Sequence, residues 1–191
     1  MTSLSFLRTL LLAAGLAAAG VAAATPLVAG LTQVQGRLDG ADLLSLDTAY
    51  AASAAATLSD GFGDIELLAP DFGLAVELSS DGVLRLIDFD GDGALAGGVL
   101  RLGFDALPTP LGAVLALDFS ALAAGSLVAS LIDAHSVQIA WQGVQLAAPF
   151  AELSWQLQSV PEPGALALLA TAALAAAAAR PRPGRRTRGQ G

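Results

Sequence analysis

The chain contains no cysteine and no lysine, and it has one histidine and one methionine among 191 residues. Without thiols it can form neither disulfides nor a cysteine-ligated zinc site. Any imidazole-based acid–base mechanism would have to use His135. No serine lies in a Gly-x-Ser-x-Gly turn that would activate its hydroxyl. We therefore expect no catalytic residues and no enzymatic activity.

Positive charge is scarce in the middle of the chain. The formal net charge is −8. Between residues 25 and 159, however, Arg37, Arg85 and Arg101 oppose sixteen acidic residues, which gives −13. Such a surface repels phosphate backbones, so nucleic acid is excluded as a ligand and cations are favoured.

The amino-terminal end has the pattern of a secretory signal peptide. Arg8 precedes an apolar run that ends in three alanines before Thr25. A basic start, an apolar stretch and small residues at the −3 and −1 positions, here Ala22 and Ala24, are typical of a cleaved leader. We predict a signal peptide over residues 1–24, handled by the Sec machinery and signal peptidase. The alternative is an uncleaved anchor helix, which the modest length disfavours.

The carboxyl-terminal end has three parts. Pro161, Glu162 and Pro163 are followed by an uncharged Ala/Leu stretch at residues 164–179 and then by five arginines. A helix of this length rises about 24 Å, which spans a membrane weakly with help from the flanking arginines. The positive-inside rule keeps the arginines in the cytoplasm and the preceding domain outside the inner membrane. The alternative is a plain membrane anchor.

This order of motif, apolar span and arginine-rich end resembles the PEP-CTERM sorting signal, and the resemblance covers only residues 160–191. It implies recognition by an exosortase, a membrane enzyme similar to a transpeptidase, which removes the tail. Families with this tail occur mostly in Gram-negative bacteria that make exopolysaccharide and biofilm. The implied location is the inner membrane before processing, then the cell surface or extracellular matrix, with exopolysaccharide as a partner.

Residues 25–159 show the period-two alternation of β-strands that have one buried face. The apolar phase is seen at these positions: Leu74, Val76, Leu78; Leu100, Leu102, Phe104; Leu115, Leu117, Phe119; Val137, Ile139, Trp141; and Leu153, Trp155, Leu157. With turn signals between them, these runs predict an all-β fold, an antiparallel β-sandwich or jelly-roll-like single domain.

Local signals add detail to this fold. Asp81-Gly82 predicts a type I′ turn, and Gln142-Gly143, after which the alternation resumes, predicts a hairpin. Residues 47–58 fit a helical turn or a mobile loop, and residues 127–132 fit a helix face as well as a strand.

Asp88, Asp90 and Asp92 stand at alternate positions in Asp-Phe-Asp-Gly-Asp-Gly, which fits the first half of a calcium loop. Carboxylates at this spacing converge on a tight turn, so we consider a structural calcium site. Val99 stands where such loops carry a bidentate glutamate, and the flanks read as strands, so the loop is not an EF-hand. The alternative is a solvated β-turn without a cofactor.

The remaining candidates have simple structural interpretations. Asp133 and His135 could face one side of a strand, although a polar loop is favoured. All three glutamates of the domain fall on or beside the polar phase, which predicts exposure. Trp141 and Trp155 fall on the apolar phase, which predicts burial in the core. We therefore expect a non-enzymatic surface protein with a structural or adhesive role. The alternatives are a polysaccharide-active enzyme and a calcium-dependent carbohydrate-binding module.

Overall fold

The computed structural model describes residues 27–60 and 64–160. The predicted leader with Ala22 and Ala24, and the predicted tail with Pro161, Glu162 and Pro163, lie outside these residues. Over the described part of the chain, no helix has the length and hydropathy that crossing a membrane requires.

The described residues form fourteen β-strands and one 3₁₀ turn at Leu46–Thr48. The strands are β1 (Gln33–Leu38), β2 (Ala41–Asp42), β3 (Leu44–Ser45), β4 (Ala51–Ala52), β5 (Ala55–Thr57), β6 (Leu67–Leu68), β7 (Leu74–Leu78), β8 (Val83–Asp88), β9 (Ala94–Leu95), β10 (Gly98–Asp105), β11 (Leu111–Asp118), β12 (Leu122–Asp133), β13 (Ser136–Leu146) and β14 (Glu152–Ser159).

The strands pair into two antiparallel sheets of seven strands each. In sheet 1 the order is β12-β13-β10-β1-β2, and the short strands β5 and β9 pair with β1 and β13. In sheet 2 the order is β11-β14-β8-β7-β6-β3-β4. The long strands β11 and β12 are therefore edge strands, and they follow one another in the chain.

Apolar side chains from both sheets share one hydrophobic core. Sheet 1 contributes among others Val34, Leu100, Leu102, Val137 and Ile139, and sheet 2 contributes Val76, Leu84, Leu86, Leu153 and Trp155. Alternation along each strand brings these side chains to one face, and removing them from water holds the two sheets together at roughly 25 cal/mol per Å² of apolar surface. The prediction of an all-β fold built from antiparallel strands is confirmed.

The predicted phase of β11 is wrong. Leu115 and Leu117 point outward and are 46% and 55% exposed. Residues directly opposite each other on paired strands share a face, and Ala116 lies opposite the buried Trp155. Ala116 therefore shares the face of Trp155, although it remains exposed on this edge strand. Phe119 follows a register irregularity and packs edge-to-face on Trp155 at a centroid distance of 5.1 Å.

The hairpin predicted at Gln142-Gly143 is also wrong, because Ser136–Leu146 is a single strand. The buried positions change phase between Trp141 and Val144. Gly143 has a φ of +58° and the register with β12 shifts beside it. A β-bulge explains both features, since one additional residue reverses the inward phase without reversing the chain.

Three local predictions are refined. A turn does connect β7 and β8, but of its residues, all described, Gly82 alone has a positive φ (+85°), whereas a type I′ turn needs two. Residues 47–58 begin in the 3₁₀ turn Leu46–Thr48 and continue through β4 and β5, so the predicted helical turn covers only their first two residues. Residues 127–132 lie within β12.

Candidate functional site

Asp88 is the last residue of β8 and the centre of the candidate site. Leu84 and Leu86 face the core from this strand, and Asp88 continues the same inward phase. Its side chain is 0% exposed. The alternation of β8 was therefore the sequence signal that this carboxylate, unlike a solvated one, is buried.

The two carboxylate oxygens of Asp88 have different surroundings. Oδ2 accepts hydrogen bonds from the backbone N–H groups of Gly93, at 3.0 Å, and Phe150, at 3.3 Å. Oδ1 is buried and has no hydrogen-bond partner among the described residues. One half of the carboxylate is therefore stabilised by the protein, and the other half is left without a donor.

Asp90 and Asp92 lie beside Asp88 in the loop between β8 and β9, and both are exposed. Asp90 Oδ1 accepts the backbone N–H of Asp92 at 3.2 Å, and Asp92 Oδ1 accepts that of Ala94 at 2.7 Å. One oxygen from each of the three aspartates lies within 4.8 Å of the other two. The structure thus brings together the three carboxylates that the sequence pattern predicted.

Two glycines allow this loop to turn tightly. Gly91 and Gly93 have φ values of +74° and +75°. A Cβ on Gly91 would lie 2.5 Å from Cζ of Phe150, so the phenyl ring sits directly on the glycine. The left-handed backbone disfavours a side chain at Gly91, and a Cβ there would displace the exposed ring of Phe150.

The electrostatic environment is unfavourable for three separate negative charges. Burial raises the pKa of Asp88, and the nearby carboxylate of Asp90 raises it further, although the N–H groups of Gly93 and Phe150 act in the opposite direction. A bound cation or a bound proton would relieve this repulsion.

Asp71 is a fourth carboxylate at this end, and sequence reasoning missed it. It belongs to the turn between β6 and β7 and borders a cavity of about 120 Å³ together with Asp90, Asp92 and Trp141. The Cβ position of Gly73 would lie 3.6 Å from Asp71 Oδ1 and 3.5 Å from Asp90 Oδ2, so both oxygens border one point. Nothing local in the sequence indicates this proximity, because the two loops meet only through strand pairing.

Glu66 corrects the prediction that the glutamates are exposed. It is 0% exposed. Its Oε1 accepts from the backbone N–H and the hydroxyl of Ser59, and its Oε2 accepts from the N–H of Leu78 at 2.7 Å. Burial raises the pKa of Glu66 to about 7 despite these hydrogen bonds. It lies just before β6. The local alternation could not predict its burial, because its hydrogen-bond donors come from other segments of the chain.

The other two glutamates contact an arginine on sheet 2. Arg85 Nη1 lies 2.7 Å from Glu77 Oε1, and Arg85 Nε lies 3.8 Å from Glu152 Oε1. The three residues stand on neighbouring strands, so the ion pairs follow from the antiparallel register. This arrangement is that of a cross-strand charge network and not of two free carboxylates facing a substrate.

His135 and Asp133 lie at the turn between β12 and β13, and both are exposed. Asp133 Oδ1 accepts the backbone N–H of His135 at 2.7 Å, so the observed bond orders the turn. The interpretation of His135 as a polar turn residue agrees with this placement.

The core positions predicted for the tryptophans are confirmed, with Trp141 7% and Trp155 2% exposed. Trp141 Nε1 donates a hydrogen bond to the carbonyl oxygen of Ala96. Trp155 borders a shallow cleft of about 260 Å³ between β11 and β12, which is lined by Val114, Ala116, Phe119, Leu127, Val128, Ala129 and Trp155. Neither indole presents a free face for stacking on a sugar ring.

Comparison with known proteins adds no relative to this picture. No protein-family profile matches the chain, and no curated protein or solved structure matches it significantly.

Proposed function

We propose that the chain is an exported surface or extracellular-matrix protein, processed by an exosortase and structural or adhesive in role. The two sheets with their shared core would be a β-sandwich with jelly-roll-like connections, delivered by the leader and released or attached when the tail is removed. It would act in an exopolysaccharide or biofilm context, without enzymatic activity. The support is the leader and the tripartite tail on either side of a self-contained β-fold.

The described β-fold ends immediately before the motif. The last strand, β14, ends at Ser159, and the backbone N–H of Val160 donates to the carbonyl of Pro110 at 2.9 Å. The Pro-Glu-Pro motif therefore begins at the residue that follows this hydrogen bond. A processing enzyme needs an accessible segment, and the motif follows directly on the end of the described β-fold.

The test is the double substitution Pro161→Ala with Glu162→Ala in a strain with an active exosortase. Export should remain intact, because the leader drives it, whereas tail removal should be blocked. Intact-mass measurement of the protein from cell surface and membrane fractions reports both steps. Pro108→Ala, at an exposed proline between β10 and β11, is the matched control and should be processed normally. Unchanged processing of the double variant would overturn the sorting assignment.

The arginine-rich end provides a second test of the topology. Replacing its five arginines by glutamine should weaken retention of the unprocessed tail, because these charges hold a short span in place. The residues are Arg180, Arg182, Arg185, Arg186 and Arg188. Protease protection of the carboxyl terminus should then fall, and unaltered protection would show that the apolar span alone is sufficient.

A second candidate function is a calcium-dependent carbohydrate-binding module. Phe72 and Phe150 are 50% and 65% exposed and flank the acidic loop, one beside Asp71 in the chain and the other bonded through its N–H to Asp88. Aromatic faces next to a cation suit sugar hydroxyls and rings. Replacing both phenylalanines by alanine should then reduce calcium-dependent sedimentation with the producer's exopolysaccharide. Leu117→Ala, at an exposed apolar residue of β11, is the control.

A further inference from the structure

We propose that this end of the molecule binds Ca²⁺ through Asp88, Asp90 and Asp92, with Asp71 from the neighbouring turn as a fourth carboxylate, directly or through water. One oxygen of Asp88 has no hydrogen-bond donor among the described residues. Oδ1 is buried and unpartnered among the described residues, whereas Oδ2 already accepts two N–H groups. An ionised oxygen removed from water in this way is strongly unfavourable unless a cation or a proton neutralises its charge.

The spacing of the carboxylate oxygens also suits a shared calcium ion. One oxygen from each of the three aspartates lies within 4.8 Å of the others. Calcium–oxygen distances of about 2.3–2.6 Å place oxygens on opposite sides of the ion about 5 Å apart, so the three atoms can share one ion. Ca²⁺ accepts six to eight oxygens in flexible geometry, whereas Mg²⁺ demands a tighter octahedron and dehydrates reluctantly.

Side chains of the described residues do not supply a positive charge to these carboxylates. The described residues contain three arginines, and each bonds elsewhere. Arg37 pairs with Asp42, Arg85 with Glu77, and Arg101 with Gln138. Four carboxylates therefore gather at one end of the fold, and none of the described arginines pairs with them.

Val99 occupies the twelfth position of the loop, where calcium loops usually carry a glutamate ligand, and Asp71 could supply the missing carboxylate. Val99 lies in β10, opposite Ala140 of β13, so the loop cannot supply a ligand from that position. Asp71 reaches the same small cavity as Asp90 and Asp92 from a different connection. The charge that calcium loops usually take from a later residue of the same loop would here come from a neighbouring turn.

An ion at this point would join three connections of the fold. Phe89 N–H donates to the carbonyl of Gly73 at 3.1 Å, and Asp88 N–H donates to that of Ala151 at 3.1 Å. The β8–β9 loop is thus already bonded to the β6–β7 turn and to the β13–β14 connection. Since Asp71 joins the loop aspartates only in the folded chain, Ca²⁺ should bind the folded state more tightly and stabilise it by mass action.

The experiment is a calcium titration of the purified exported protein after treatment with a chelator, in detergent wherever the tail is retained. The melting temperature should rise by about 5–10 °C when calcium exceeds its Kd about a hundredfold. Magnesium at the same concentration should give much less, and sodium at matched ionic strength should give almost nothing. A cooperative transition that calcium does not move would overturn the proposal.

Variants separate binding from general screening. Asp90→Asn keeps the shape of the side chain and should weaken calcium binding at least tenfold by calorimetry, and Asp92→Asn serves if that protein fails to fold. The control is Asp118→Asn, whose Oδ1 accepts the N–H of Ser120 at 2.8 Å in a similar turn, and it should respond like the wild type. Equal shifts in wild type and loop variants would overturn the site.

Asp71→Asn tests the fourth carboxylate and should weaken binding roughly two- to fivefold, as expected when one charge is removed from the surroundings of the ion. Unchanged affinity would overturn the part assigned to Asp71. All of these measurements use purified protein, so their outcome is independent of whether an exosortase processes the tail.

Discussion

Glu66 and Asp88 are both completely buried carboxylates, but the protein treats them differently. Both oxygens of Glu66 accept hydrogen bonds, from Ser59 and Leu78. Asp88 has one bonded oxygen and one without a partner among the described residues, beside two further aspartates. The hydrogen bonding of Glu66 is therefore complete within the fold, whereas that of Asp88 is incomplete among the described residues.

The largest expected effect on stability is at Glu66, whose two oxygens both accept hydrogen bonds. Glu66→Ala removes the acceptor of the buried N–H of Leu78 and the partly buried N–H of Ser59 and leaves a cavity, so it should lower the free energy of unfolding by about 3 kcal/mol. Urea unfolding measures this change. Glu152→Ala, on an exposed side chain of β14, should change stability by less than about 0.5 kcal/mol. Similar losses in the two variants would mean that the hydrogen bonds of Glu66 contribute little.

The pH dependence of stability is the next effect in size. Burial raises the pKa of Glu66 to about 7 from 4.5, so the folded protein holds this proton more tightly than the unfolded chain. The resulting stabilisation is complete below about pH 4.5 and is lost as the pH rises through 7. Its size should be on the order of 2 kcal/mol.

Measuring the free energy of unfolding at pH 5 and pH 8 checks this prediction. Glu66→Gln should remove the part of the pH dependence that Glu66 causes. Tyr50 is a titratable neighbour of Glu66. Burial raises the pKa of Tyr50 above its usual 10, and the carboxylates of Glu66 and Asp64 raise it further. Tyr50 therefore titrates above the tested range. If the stability of Glu66→Gln depends on pH as strongly as that of the wild type, other groups cause the pH dependence.

The smallest effect should occur at Asp88 in the metal-free protein. Asp88→Asn keeps an acceptor for the N–H groups of Gly93 and Phe150 and lets the amide donate toward Asp90. In chelator, stability should be unchanged or up to about 1 kcal/mol higher, because a buried unpaired charge has been removed. Thermal unfolding of the two proteins in chelator is the measurement. A loss as large as that of Glu66→Ala would contradict the distinction between the two carboxylates.

Sequence reasoning succeeded where a local pattern is enough. Alternation identified β7, in which Leu74, Val76 and Leu78 are buried, and it placed both tryptophans in the core. The spacing of the three loop aspartates likewise predicted their convergence, because residues two apart on a tight turn are neighbours whatever surrounds them.

Prediction failed where the phase or burial of a residue depends on its partner strand. Alternation predicts that Leu115 points inward, yet the pairing of Ala116 with Trp155 turns it outward. The bulge at Gly143 resembles a turn because both interrupt the alternation, and only the continuous pairing with β12 distinguishes them.

The sequence by itself determined the class of fold, the acidity of the middle of the chain, the loop of alternating aspartates and the expectation of processed ends. Each of these is a property of composition or of residues a few positions apart. Tertiary structure alone decided that Glu66 is buried with its oxygens bonded, that Asp88 is buried with one oxygen free of donors among the described residues, and that Asp71 borders Asp90. The physical reason is that hydrogen-bond donors and neighbouring charges come from distant segments, which only the strand register brings together.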